Sequence, residues 1–251
     1  MEMVINVIRE KIRKKMLYIT TVLGILVVMI FSSDMGSLTI GGKEIKDYYV
    51  LVPILIHVVN FLSGALALGM SVSTIPNEYE RRTSHLVWAR GVSQSRYHVC
   101  LTLGNILVSW ISGLILYGTL AVFAMINGYA GILGRIMASM LFMMIYVAIV
   151  SVLASAISVV FPTVVTGVIM ILILAGGAFR SILGLAAAVL TGTGGWMVKR
   201  LLKLIPDLAG LSRQGGNLVQ GKPVDVHVIV MGLLVIWIAG LGLLLFKRQE
   251  A

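Results

Sequence analysis

The sequence predicts an all-α integral membrane protein, a bundle of six transmembrane helices, and three observations predict it. Of the 251 residues, 59% are hydrophobic and only 12% charged, with a mean hydropathy of +1.01. A soluble domain carries roughly a quarter charged residues, which cover its core. The apolar residues fall into runs near the length that crosses a bilayer, about 20 residues. The basic residues, which give the chain a net charge of +10, gather mainly between and beyond those runs.

Residues 1–15 carry an apolar stripe at helical spacing, Met1, Val4, Ile5, Ile8 and Ile12, with Arg9, Glu10, Arg13 and Lys14 off it. Such a helix suits a headgroup interface; a solvated charge run ahead of the first span fits the same residues. The long apolar run that follows has no small-residue cleavage site, so it reads as a span and not as a cleaved leader. That first span covers residues 16–33. A polar turn from Asp34 to Asp47, with Gly36, Gly41 and Gly42, leads to the second span, 48–75, which has Pro53 in its first turns. Residues 76–96 form a substantial polar segment. The third span is 97–126, and an Asn127–Gly131 turn leads into the fourth, 132–160, which ends at Phe161–Pro162.

The fifth span, 163–190, is interrupted by Arg180, and two forms fit: one long span, or a span followed by a re-entrant or interfacial helix. A charge at the bilayer centre is costly, so Arg180 belongs near an interface or a cavity. Residues 191–225 are polar, with an amphipathic surface helix expected over Trp196–Ile205. The sixth span, 226–246, ends in Lys247–Arg248. The whole chain, 1–251, is one transmembrane domain without a visible internal repeat.

Orientation follows from the cations. Arg9, Lys11, Arg13, Lys14 and Lys15, then Arg81, Arg82, Arg90 and Arg96, then Lys247 and Arg248 share one side of a six-span chain. The positive-inside rule makes that side, with both termini, cytoplasmic in a multi-pass cell-membrane protein. Lys199, Arg200, Lys203, Arg213 and Lys222 run against it, in a segment placed outside.

Candidate chemistry is sparse. GNLVQGK, Gly216–Lys222, follows a phosphate-loop pattern, but Pro223 stands where a magnesium-binding Ser or Thr is needed and no strand precedes it. The carboxylates all map to loops or termini, which disfavours ion coupling through the spans. His57, within a span, fits either a group that titrates near neutral pH or a hydrogen bond with a neighbouring helix, the reading preferred; His227 is at a span edge. Cys100 and His98 are two apart on a helix and diverge. The four His lack metal-ligand spacing, and the fourteen Met read as apolar packing. No catalytic, cofactor-binding or metal residues are assigned. The charge is read as interfacial anchoring against the lipid bilayer, with no nucleic-acid partner.

The 76–96 segment stands out. Asn77 with Glu80 resembles a capping box, and a helix is expected from there to Arg90, closing at Gly91. Leu86, Val87 and Trp88 place bulk among charges, as a partner-docking surface does; a helix lying on the membrane fits equally.

On these residues the chain resembles the permease subunit of type-2 ABC exporters. Glu78 and Glu80 match the family's acidic pair, Arg81–Arg82–Thr83 its basic-Thr step, and Gly91–Val92–Ser93 with Arg96 its turn into the third span. Arg82 stands where Gly usually precedes Thr, Gly91 replaces Pro, and the Lys usual early in span three is missing. The resemblance implies an N-terminal elbow helix (Ile5, Ile8, Arg9, Ile12, Arg13) and a cytoplasmic coupling helix. The coupling interface would comprise Glu78, Glu80, Arg81, Arg82, Leu86, Val87, Trp88 and Arg90. It also implies an extracellular helical segment before the last span. The partners implied are a separate cytoplasmic ATPase subunit, which would hold ATP and Mg, and a second permease half-unit, the same or a sister chain. Small-xxx-small spacings at Ala65/Gly69, Ser109/Gly113, Ser151/Ser155 and Ala154/Ser158 suit close helix contacts, within or between subunits. The resemblance extends to small bacterial exporters of peptide toxins and antimicrobial peptides, which makes amphipathic peptides the leading cargo; lipid, drug or polysaccharide export also fit. An ion-coupled secondary transporter and a non-transporting membrane scaffold subunit are the competing readings.

Overall fold

The structure is a computed structural model that describes residues 2–32, 39–40, 43–44, 48–80, 87–89, 91–189 and 193–245. Among these the fold is helical, apart from a two-residue antiparallel pairing of Thr39–Ile40 with Lys43–Glu44. Several sites singled out above lie outside the described residues: Met1, Asp34, Gly36, Gly41, Gly42, Asp47, Arg81, Arg82, Thr83, Leu86, Arg90, Lys247 and Arg248.

Helix α1 (Glu2–Arg13) leads to α2 (Met16–Ser32). Lys15 makes the corner with a φ of 57°, in the left-handed region that commonly ends a helix. Helices α3 (Tyr48–Ser71) and α4 (Thr74–Glu80) follow one another with a break at Val72–Ser73. Pro76 sits in the first turn of α4, where a missing N–H costs little, whereas Pro53 lies inside α3, at its sixth residue, and removes one helical hydrogen bond. Then come α5 (Gln94–Ile126) and α6 (Leu133–Val160), the latter entered through a 3₁₀ turn at Ala130–Ile132. Helices α7 (Thr163–Ala178), α8 (Arg180–Val189), α9 (Thr193–Leu204), α10 (Leu208–Val219) and α11 (Val226–Leu245) complete the chain.

Among the described residues, four stretches are long and apolar enough to cross a membrane: Val50–Glu80, Gln94–Ile126, Ala130–Val160 and Val226–Leu245. Helices α7 and α8 pass the same test together, but with a bend of 78° between them. Helix α2, 17 residues long, is uncharged and mostly apolar. At 1.5 Å per residue that is about 26 Å, a little short of the hydrocarbon thickness. Helices of this length and apolarity suit a membrane protein.

The expected span 163–190 is therefore a broken one. Phe179 ends α7, and α8 leaves at a steep angle from Arg180. The expected start of a helix at Asn77 is also corrected. Asn77 donates its backbone N–H to the Ser73 carbonyl, so it lies inside α4 and caps nothing. Of the helix expected to run on to Arg90, residues 87–88 are helical and Gly91 closes with a φ of 80°.

Helix α6 is the centre of the bundle. Its most apolar stretch is 61% buried within the chain, against 17% for that of α11, so α6 is surrounded and α11 lines the outside. Helices α3, α5, α10 and α11 pack around α6. The main apolar core joins α3, α5 and α6, with contributions from α7 and α10. A second cluster occupies the end of the bundle where α4 meets α5. It gathers Val7 of α1, Ile75 of α4, Tyr97 and Leu101 of α5, Val159 of α6 and Leu243 of α11.

Helix α10 is the element that the sequence conceals. Its glycines argue against a helix, but tertiary contacts require them. A Cβ on Gly215 would stand 3.3 Å from Ile56, and one on Gly216 3.0 Å from Pro53. Asp207 caps the helix, accepting the Gly210 N–H at 2.9 Å. The phosphate-loop pattern dissolves here, because Gly216–Val219 is the closing turn of a helix packed on α3, not a loop opening one.

Candidate functional site

The α4 end of the bundle brings together much of what the sequence singled out. Ser93 stops the preceding turn with extended backbone, and its hydroxyl accepts the Arg96 N–H at 3.4 Å to start α5. The first turn of α5 then faces α4. The Tyr97 hydroxyl donates to Glu78 at 2.6 Å, and Tyr79 and His98 share a hydrogen bond of 2.8 Å. The Gln94 amide also donates to the Tyr79 hydroxyl. The Trp88 ring meets Tyr79 edge-on at 5.8 Å, and Val87 packs against the second apolar cluster. Ser95 ties the same turn to α11 by donating to the Leu244 carbonyl at 2.9 Å.

Thus Glu78, Val87 and Trp88 are held by the bundle, whereas Glu80 is exposed at the helix end. Arg81, Arg82, Leu86 and Arg90, the other expected members of this surface, lie outside the described residues. His98, read above as diverging from Cys100, is committed to Tyr79, and Cys100 is a free, half-buried thiol.

Helix α1 docks beside this junction, but by a different face from the expected apolar stripe. Val7 and Lys11 are its buried residues, with Met3 one turn earlier packed on the same cluster. Ile5 and Ile12 remain 42% and 46% exposed, and Arg9 and Arg13 are exposed as well. At about 100° per residue, Ile5 and Ile12 lie roughly opposite Val7. Ile5 and Ile12 of the expected stripe face away from the protein, whereas Val4 and Ile8 are half-buried. Contact with α5 is made possible by Gly104, where any Cβ would come within 2.7 Å of the Val7 Cβ.

In the sequence Lys11 is one cation among several. In the structure it is 4% exposed, and its ammonium donates to the Met70 carbonyl at 2.5 Å and to the Thr74 hydroxyl at 3.1 Å. Thr74 in turn bonds Asn105 of α5 at 3.2 Å. Helix α1 is therefore linked to the α3–α4 break and to α5 through one amine. Burial, and then the neighbouring Lys14, lower the Lys11 pKa from 10.5 to about 8, against a raising effect of Glu10. Hydropathy gives no sign of this. The one clue is spacing, since Lys11 falls four residues after Val7 and eight after Met3.

A second polar cluster sits deeper, between α3, α5 and α10. Asn60 is fully buried; it accepts the Tyr117 hydroxyl at 3.0 Å and donates to the Ser212 hydroxyl at 3.1 Å. His57 does not reach a neighbouring helix, as the sequence suggested. Its Nδ1 lies 2.9 Å from the Pro53 carbonyl of its own helix. Three of the four small-residue pairs are packed inside the chain, at Ser109/Gly113, Ser151/Ser155 and Ala154/Ser158. Gly69 of the fourth faces open space.

Among the described residues, no group of His, Cys, Asp and Glu is placed to hold a metal ion. No protein-family model matches this chain, and no curated protein matches it.

Proposed function

We propose that this chain is the permease subunit of an ATP-driven exporter, with six spans, a membrane-lying α1 and both termini in the cytoplasm. The single observation that carries the reading is the α4–α5 junction. A polar segment between two spans is usually a solvated loop. Here Glu78 and Tyr79 are bonded to the start of α5, Trp88 meets Tyr79 edge-on, and Tyr79 and Val87 pack on the cluster that also holds α1, α6 and α11. A push on this segment would therefore move several spans together, which is what coupling to a separate ATPase requires. Exposed Glu80 and the basic residues after it would meet that ATPase, which would bring ATP and Mg. The outward stripe of Ile5 and Ile12 supports α1 as the elbow, with its apolar side in the headgroup region. A second half-unit, the same or a sister chain, would complete the pathway. Amphipathic peptides are the cargo proposed, on the family resemblance alone.

The test is purification of the tagged chain from its own cells in mild detergent, with ATP hydrolysis measured on the eluate. Glu80→Lys and the double change Glu80→Lys with Val87→Asp are compared after membrane insertion is verified. An ATPase that co-purifies with the wild type and is lost with Glu80→Lys or the double variant supports the reading. Absence of any ATPase, or unchanged binding and turnover in both variants, would refute it and bring the carrier and scaffold readings forward.

A further inference from the structure

The end of the bundle opposite the α4–α5 junction, where α11 starts, holds a pair of adjoining cavities. Their depth follows from register. Gly232 lies six residues inside the start of α11, about 9 Å. It faces Ile145 and Ile149 of α6 and Leu211 of α10, since a Cβ there would stand 3.2, 3.3 and 3.6 Å from them. Helix α10 therefore begins level with a point about 9 Å inside α11 and about 18–24 Å from the start of α6. It rises toward the α6 start, where Arg135 donates to the Val219 carbonyl at 3.3 Å. Helix α7 reaches the same depth, with Gly177 against Pro206 and Leu208. Arg180 follows at once, at the 78° bend.

Arg180 donates to the Ile205 carbonyl at 2.8 Å, beyond the C-terminus of α9, where a cation is favoured. One cavity, of about 210 Å³, opens between this corner and α11. Arg180, Lys203, Asp207 and His227 line its polar side, and Met231 and Val235 are on its apolar wall. The second cavity, of about 480 Å³, shares Arg180 and Lys203 and adds Lys199, Arg200 and Trp196. Among the described residues that line the two cavities, four cations face one carboxylate, that of Asp207. The outer face of α9 is apolar, with Trp196, Met197, Leu201 and Leu204 each more than half exposed. Beside the cavity-lining Met231, α11 carries exposed Leu234 and Ile238. A cationic recess bounded by two lipid-suited surfaces has the chemistry of an anionic amphiphile site.

We propose that these cavities bind a phospholipid with a net-anionic phosphate headgroup, drawn from the bilayer leaflet at this end. Arg180 and Lys203 hold the phosphate, and Met231 and Val235 accompany the upper acyl chain. The inference rests on the membrane reading of the chain but not on its partnership with an ATPase.

Native mass spectrometry of the detergent-purified chain tests it, with dioleoyl-phosphatidylglycerol and dioleoyl-phosphatidylcholine as probes and inorganic phosphate as competitor. Phosphatidylglycerol binds in preference to phosphatidylcholine, whose choline cation meets Lys199 and Arg200. Lys203→Gln weakens phosphatidylglycerol about tenfold, and Arg180→Gln at least as much. Met231→Trp fills the apolar wall and weakens it too, whereas Lys222→Gln, outside both cavities, leaves it unchanged. Lys203 is exposed, so its variant is informative even where Arg180→Gln misfolds. Equal binding of the two lipids, or wild-type binding by both Lys203→Gln and Met231→Trp, overturns the proposal. Displacement by inorganic phosphate at equal concentration would show a small-anion site and overturn it as well. The ATPase co-purification result bears on none of these readings, so the two ideas fail separately.

Discussion

Replacing Lys11 with Met removes a buried cation while keeping a side chain of similar length, and the structure sets the size of the effect. A tenfold change in proton affinity is worth about 1.4 kcal/mol. Lowering the Lys11 pKa from 10.5 to about 8 therefore costs the docked, charged form about 3 kcal/mol. Because the docked value is the lower one, the undocked helix binds more protons between those limits. Docking is weakest at and below about pH 8 and strengthens as the pH climbs toward 10.5. Opposing this cost are two hydrogen bonds from a charged donor, each worth about 1.5–3 kcal/mol. Lys11→Met loses both terms together and leaves the Thr74 hydroxyl bonded to the Met70 carbonyl at 2.7 Å. Near neutral pH the variant should therefore dock about as well as the wild type, but without pH dependence. The assay is maleimide labelling of a thiol introduced by Val7→Cys in a Cys100→Ser background. Each rate is divided by that of the exposed control Arg13→Cys at the same pH. In the wild-type context the ratio should fall about tenfold from pH 7 to pH 9. With Lys11→Met it should stay flat. A flat ratio with Lys11 present, or an equal fall without it, would refute the buried-amine reasoning.

Three further outcomes follow from packing. Gly104→Val places methyl groups where Val7 already stands, so the Val7→Cys thiol should label at nearly the rate of the exposed control. Asn60→Leu strands the Ser212 hydroxyl and weakens the setting of Tyr117. At about 1–3 kcal/mol per stranded group, the thermal midpoint in detergent should fall by several degrees. Gly177→Ala drives a methyl to 2.8 Å from the Pro206 carbonyl oxygen, a backbone atom that cannot swing aside, whereas Gly69→Ala enters open space. The first should lower the same midpoint, by about 1–3 kcal/mol of overpacking, and the second should leave it within about 0.5 kcal/mol of the wild type.

The helical class, the long apolar helices and their limits within a few residues were legible in the sequence, because hydropathy is additive along the chain and needs no partner. The same holds for the corner at Lys15 and the stop at Gly91, which lie where the residue pattern changes. Other features were decided only in three dimensions. The Arg180 corner left two forms open until Ile205 was in place to accept its guanidinium. Helix α10 is built from glycines whose value is to let Pro53, Ile56 and Ser139 approach, a fact no propensity records. Lys11 reads as one more cation near the start of the chain; its burial depends on the Met70 carbonyl and Thr74, some sixty residues away. Local pattern fixes which segments avoid water. Which face of each segment meets which neighbour depends on residues far apart in the chain, and only the tertiary structure brings them together.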